Sequence, residues 1–237
     1  MINNSRNIAV IPARGGSRRL PKKNFLDFHG KPLFLYTYEA AKESGLFSDI
    51  VISTDSKDIL DICREKNIAV PFIRPEPLCS DTASLDDVCL HALDEMEKIN
   101  GPYNAMCVLW ATSPLRDATD LQQSYRMLTD RVDAVVGMVQ NAQYYPSQII
   151  DRGGYLQPLV PLLGVTNLRA QDVPSVYVDN GSLAWVKTDA FRIEKTWMPK
   201  RTKGYLMPTW KSVDVATQQD LELLSFYFEK HISTTHS

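Results

Sequence analysis

Short apolar runs recur along this chain, and each ends in a polar turn. Ile8-Ala9-Val10-Ile11 leads into Pro12-Ala13-Arg14, and Ile50-Val51-Ile52-Ser53 leads into Thr54-Asp55-Ser56. The runs at residues 68–73 and 105–110 end at Arg74 and at Thr112-Ser113-Pro114-Leu115-Arg116. Unbroken apolar runs of this length suit strands buried on both faces of a sheet. Between them the period changes. A helix opens at Lys31-Pro32-Leu33, runs through Tyr38, Ala41 and Lys42, and stops at Ser44-Gly45; Ile59, Leu60, Ile62 and Cys63 share one face of the next. Leu85, Val88, Cys89, Ala92, Leu93 and Met96 form a stripe over residues 84–99. Strand, helix, strand, helix, strand predicts an α/β fold, a doubly wound and mostly parallel sheet. Ligands in such sheets sit beyond the carboxyl ends of the strands, so the loops at Arg14, Asp55 and Arg74 are expected to converge.

Further along, Asp117 or Thr119 caps a helix containing Leu121, Tyr125 and Leu128, and residues 133–139 and 180–186 read as strands. A helix over residues 218–230 closes the chain. Residues 141–179 break the pattern with Tyr144-Tyr145-Pro146, Gly153-Gly154, Pro158, Pro161, Gly164 and Pro174, which predicts hairpins and loops. At 237 residues the chain fits one domain, 1–237, with 141–179 as an inserted β-rich lobe. A lobe so small has little core of its own and is expected to pack against a second copy.

The first turn is the most chemical stretch. Arg14-Gly15-Gly16-Ser17-Arg18-Arg19-Leu20-Pro21-Lys22-Lys23-Asn24 joins a glycine turn to five cationic side chains. Such a turn lets the backbone approach a ligand and can present several N–H groups to an anion. A polyphosphate seat fits; a solvated surface turn or a nucleic-acid arm are the other readings. The spacing is neither a P-loop nor a dinucleotide fingerprint.

A formal net charge of −2 gives no general attraction to nucleic acid or to a membrane, and no apolar run has spanning length. Cys63, Cys79, Cys89 and Cys107 lack metal-ligand spacing and read as reduced thiols, so a cytoplasmic location is expected.

Taken in order, the opening loop, Ser53-Thr54-Asp55-Ser56, Arg74-Pro75 with Leu78 and Ser80-Asp81, Thr112-Ser113-Pro114-Leu115-Arg116, Asn180-Gly181 and Ser212-Val213-Asp214 resemble the acylneuraminate cytidylyltransferases. Relatives acting on legionaminic or pseudaminic acid share the opening motif. The resemblance covers nearly the whole chain. It implies a Rossmann-like nucleotidyltransferase, dimeric through its small lobe. The implied Mg2+-dependent reaction joins CMP from CTP to a nine-carbon 2-keto sugar acid and releases pyrophosphate. The sugar's anomeric hydroxyl attacks the α-phosphorus directly, so no enzyme nucleophile is needed, and the work is positioning and charge neutralisation.

By the same resemblance, Arg14, Gly15, Gly16, Ser17, Arg18 and Lys23 form the triphosphate loop, and Asn24 touches the nucleotide. Arg18 stands where the family usually has lysine, which keeps charge but changes geometry. Arg74 and Ser80 match positions that read cytosine and ribose; a loop salt bridge is the other reading of Arg74. Arg14, Lys23 and Asp214 are the implied catalytic set, with Asp214 the metal ligand. Trp110, Thr112, Ser113, Arg169, Gln171 and Asn180 are implied on the sugar side, although Arg169 and Gln171 also suit a dimer interface.

Two departures stand out. Trp110-Ala111 replaces the family's Gln-Pro, which points toward a more apolar, diacetamido sugar acid unless Trp110 is only a strand-end core residue. Ala216 stands where relatives carry a second metal-binding Asp, while Asp214 and Asp220 are kept. A nucleotide-binding homologue of low activity, or an enzyme for another sugar or nucleotide, are therefore the alternatives.

Overall fold

Apolar residues alternate along the central strands so that successive side chains enter opposite cores. A computed structural model describes residues 6–17, 19–80, 82–140, 149–152, 155–158 and 176–231. Its main sheet contains β1 (Asn7–Pro12), β4 (Asp49–Ser53), β5 (Ala105–Leu109), β6 (Ala134–Gln140), β9 (Tyr177–Lys187) and β10 (Thr202–Leu206), in the order β10-β6-β9-β5-β1-β4. β1 runs parallel to both β4 and β5, and β10 parallel to β6; β9 lies antiparallel between β5 and β6.

Ala9 and Ile11 of β1 face one core, with α1 (Leu33–Ser44), α2 (Lys57–Glu65) and α4 (Ala118–Tyr125). Ile8 and Val10 face the other, covered by α3 (Leu85–Asn100) and α5 (Thr188–Glu194). A third, smaller core joins Leu20, Phe28, Leu33 and Leu115 to Val213, Val215 and Leu224 of α6 (Gln218–His231), which clamps the C-terminal segment against the first loop. Phe28 belongs to a minimal hairpin, β2 (Asp27–Phe28) with β3 (Lys31–Pro32), and a separate hairpin pairs β7 (Ile149–Arg152) with β8 (Tyr155–Pro158).

Helix starts follow local chemistry. Ser56 and Ser84 accept from the third residue on, at Ile59 and Asp87, and Asp117 with Asp120 forms a reciprocal capping box for α4. The strand expected at residues 68–73 is absent. Ile68 N–H closes α2 on Cys63 O at 2.8 Å, and the chain then passes the end of β4, touching it through Arg74 N–H to Thr54 O at 2.8 Å. Pro71 removes a ladder donor from that stretch, which explains the loss. Elements not anticipated from the sequence include the β2–β3 hairpin, whose second strand takes Lys31–Pro32 from the expected start of α1, as well as α5 and the edge strand β10, whose sequence is mostly polar.

Candidate functional site

Strand order reverses between β1 and β5, since the chain leaves β1 for β4 on one side and returns to β5 on the other. A crevice opens at such a point. Here it is a cavity of about 230 Å³, lined by Pro12 and Arg14 after β1, by Trp110, Ala111 and Thr112 after β5, and by Lys23, Asn24, Arg74 and Ser80. Leu78, Leu85 and Val88 supply an apolar wall.

The polar groups hold one another in place. Arg14 Nη1 donates to Ser80 O at 3.2 Å, joining the first loop to the segment between α2 and α3. Asn24, 6% exposed, donates from Nδ2 to Arg14 O at 2.8 Å. Lys23 Nζ donates to Val215 O at 3.3 Å, linking the loop to the C-terminal segment. Burial pulls the Lys23 ammonium below the usual lysine range, Asp214 opposes this, and Arg19 and Arg14 add to it. Arg74, 4% exposed, donates to Ser53 Oγ at 3.1 Å and Ser53 O at 2.5 Å; burial lowers its pKa also. Ser80 Oγ accepts from Ala83 N–H at 3.1 Å, so it shapes its own turn.

Gly15 has a role the sequence did not disclose. Its N–H donates to Asp55 Oδ1 at 2.9 Å, and a Cβ there would lie 3.0 Å from Ser56 Cβ. The first turn is therefore pinned to the end of β4 by a carboxylate, with Gly16 open on its outer side and Ser17 half-buried beside it. Arg18, Arg169 and Gln171 lie outside the described residues.

Beside this cavity lies a wider one of about 590 Å³, whose walls include Trp110, Asp179, Asn180, Gly181, Asp214 and Asp220. Trp110 lines both, its ring set edge-on against Trp197 with centroids 5.5 Å apart. Where the two meet, the Thr112 hydroxyl donates to Asp214 Oδ1, and Ser113 Oγ donates to Gly181 O at 2.6 Å. Asn180 is 6% exposed and spends its amide internally: Nδ2 donates to Ser212 Oγ at 3.0 Å and Oδ1 accepts from Ser182 N–H at 3.2 Å. It braces the wall.

Loss of solvent raises the Asp214 carboxyl, against the Thr112 hydrogen bond and Lys23; the same loss raises Asp179, against the Gly181 N–H, with Asp214 pushing further. Burial would raise Asp220 too, but the N–H groups of Ala216 and Thr217 and the Thr217 hydroxyl outweigh it and hold it low. Those contacts, at 2.9, 2.7 and 2.9 Å, make Asp220 the partner of Thr217 in a capping box at the start of α6, the Thr217 hydroxyl accepting the Asp220 N–H at 3.3 Å. Asp214 and Asp179 offer hard oxygens, a donor chemistry that suits Mg2+ supplemented by phosphate and water. Among the described residues, no three His, Cys, Asp or Glu side chains converge as a metal cluster.

The Thr112-Ser113-Pro114-Leu115-Arg116 motif alone gives Arg116 no role. Arg116 is 2% exposed, and its guanidinium donates to Ser113 O at 3.0 Å, Ser182 O at 2.7 Å, Trp110 O at 3.1 Å and Thr37 Oγ1 at 2.7 Å. One buried cation thus ties the turn after β5 to β9 and α1. A cation embedded in an apolar Pro-Leu context just before a helix cap was the available signal.

A parallel-centred sheet reversing over a cationic crevice defines a nucleotide-binding α/β enzyme. The model of one family, described as cytidylyltransferase, matches residues 8–151, and the chain belongs to that family. It is 30% identical over 228 residues to the pseudaminic acid cytidylyltransferase of Campylobacter jejuni (94% of this chain, 97% of that one). It is 33% identical over 219 residues to the N-acylneuraminate cytidylyltransferase of Streptococcus agalactiae (90% and 51%), and 29% over 219 to the CMP-N,N'-diacetyllegionaminic acid synthase of Legionella pneumophila (91% and 93%). Among solved structures, a CMP:2-keto-3-deoxy-manno-octonic acid synthetase complexed with CTP superposes with a TM-score of 0.68 at 18% identity, covering 96% of this chain and 100% of that one. The 4-diphosphocytidyl-2C-methyl-D-erythritol synthase of Anaerococcus prevotii gives 0.64 at 12% (95% and 99%). Both share the fold. The chain is an enzyme of cytidylyltransferase type, and no helix among the described residues is long and apolar enough to cross a membrane.

Proposed function

We propose that this chain transfers CMP from CTP to the anomeric hydroxyl of a nonulosonic acid and releases pyrophosphate. The carrying observation is a pair of adjoining cavities that share Trp110: a small one ringed by Arg14, Lys23, Asn24, Arg74 and Ser80, and a wider one beside Asp214. The first suits the nucleotide and the second the sugar acid. The names of the relatives from Campylobacter, Streptococcus and Legionella support the sugar class, and the CTP-bound synthetase supports the nucleotide.

In this reading Arg14 and Lys23 neutralise the triphosphate, Arg74 and Ser80 fix base and ribose, and Thr112 and Ser113 hold the junction where the hydroxyl meets the α-phosphorus. The new P–O bond forms as the bond to pyrophosphate breaks. Asp214 would hold Mg2+, which, when bound, supplies charge neutralisation to the phosphate oxygens. The indole of Trp110 favours a diacetamido sugar acid over N-acetylneuraminate. The inserted segment is proposed to pair two copies, which a light-scattering mass measurement checks.

Pyrophosphate release with CTP, UTP, GTP and ATP against pseudaminic, diacetyllegionaminic, N-acetylneuraminic and 3-deoxy-manno-octulosonic acids tests the reading. Turnover with CTP and a diacetamido acid is expected. Tight CTP binding with no turnover on any acid would overturn it in favour of a low-activity homologue, a possibility raised by Ala216.

A further inference from the structure

Within the segment from Asp214 to Asp220 both carboxylates line the wider cavity, and Asp214 is the one that meets Thr112 and Lys23 at its junction with the smaller cavity. Residue 216 is alanine, and Asp220 Oδ2 is committed to three donors at the start of α6. Asp214 gives Oδ1 to the Thr112 hydroxyl and keeps Oδ2. A lone carboxylate is a sparse anchor for a divalent ion, even one that takes several ligands from phosphate and water.

A second carboxylate enters the same cavity from β9. Asp179 lines it beside Asp214. Its Oδ1 accepts the Gly181 N–H at 2.9 Å, which fixes the side chain in a tight local turn. Gly181 itself has φ +58, and a Cβ at that position would lie 3.4 Å from Cβ, Cγ and Oδ2 of Asp214. One glycine therefore bonds Asp179 through its N–H and abuts Asp214 on its α-carbon. Any side chain at 181 would fill the space against the Asp214 carboxyl; glycine leaves a cradle there. The hydrogen-bond partners described for the two acids are a main-chain N–H and a hydroxyl; Lys23 and Arg19 bring positive charge toward Asp214, and the charged group that acts on Asp179 is Asp214 itself.

We infer that Asp179 is the second carboxylate facing the divalent cation that accompanies the nucleotide, taking the part that residue 216 cannot. This rests on the proposed function. The assignment comes from β9, outside the C-terminal segment, and it explains how a chain with Ala216 can keep two acidic groups at the junction of its cavities.

The test uses the full chain with saturating CTP and Mn2+ as the probe, free Mn2+ being read by electron paramagnetic resonance. Asp179→Asn retains an oxygen for the Gly181 N–H and removes only the charge; Asp179→Ser, whose hydroxyl can also accept, is the second variant should the first fold poorly. Each is expected to raise the Mn2+ dissociation constant on the order of 10-fold, with thermal midpoint and metal-free CTP binding unchanged. Adding Ala216→Asp to Asp179→Asn is expected to restore Mn2+ binding. Mn2+ affinity equal to wild type in both Asp179 variants, with CTP bound, would overturn this inference alone. A wild-type chain that binds no CTP would overturn the proposed function and this inference together.

Discussion

Replacing Arg116 with alanine gives a sharp test of how the site is braced. The guanidinium reaches three main-chain carbonyls and the Thr37 hydroxyl, and no described carboxylate touches it. Burial pushes its pKa down to about 10, so it stays charged at neutral pH while carrying a desolvation cost. Against that stand the carbonyls it satisfies. Trp110 O and Ser182 O keep a second donor, Ser113 N–H and Trp110 N–H respectively, both at 3.3 Å, whereas Ser113 O has none among the described hydrogen bonds. A buried acceptor left bare costs about 1–3 kcal/mol, and the vacated side-chain volume adds about 2 kcal/mol more. Relief of the desolvation cost offsets part of this. A net loss of about 2–4 kcal/mol is expected for Arg116→Ala, read from urea unfolding followed by tryptophan fluorescence. Activity with saturating substrates should fall with it, because Ser113, Trp110 and Ser182 lose their common anchor. A variant within about 0.5 kcal/mol of wild type, turning over at the wild-type rate, would refute the bracing argument.

Two further outcomes follow from other contacts. Gly137→Ala would place a Cβ 2.7 Å from Asn180 Oδ1, at the register shift between Val136 and Met138, so a loss of about 1–3 kcal/mol is expected; an unchanged thermal midpoint would contradict the close approach. Asp133 is held below the usual carboxylate range, first by its hydrogen bonds to Arg201 at 2.6 Å and further by Lys187. A depressed carboxyl contributes stability that is present above the unfolded pKa of about 3.9 and is lost as pH falls through the lower folded value. The midpoint gap between wild type and Asp133→Asn should therefore be widest near neutral pH and close in acid; a gap that stays constant down to about pH 2 would disprove the pairing.

Much of this architecture could be read from residue order, because buried parallel strands need continuous apolar side chains and their helices need a stripe. β1, β4 and β5 follow that rule, and so do α1, α2 and α3. Residues 68–73 are as apolar as a strand but include Pro71, which cannot donate to the open edge of β4, and the chain instead crosses the end of that strand. β10 failed for the opposite reason: Thr202, Lys203 and Gly204 sit at the sheet edge, where polarity is tolerated and leaves no signal. The antiparallel direction of β9 was equally invisible, since a buried strand reads alike from either end. In the site, Arg14, Lys23, Asn24, Arg74 and Ser80 do line one cavity. Asp55, Arg116 and Asp179 act through contacts 40, 66 and 2 residues away, and only the last is local enough to be guessed from spacing.

Trp110 presents its side chain to two chambers at once and leans on Trp197. A change there that enlarges one chamber alters the other, so on the proposed function selectivity for the donor and for the acceptor cannot drift independently. Evolution toward a new acceptor must therefore either leave that indole alone or readjust the donor side in the same step.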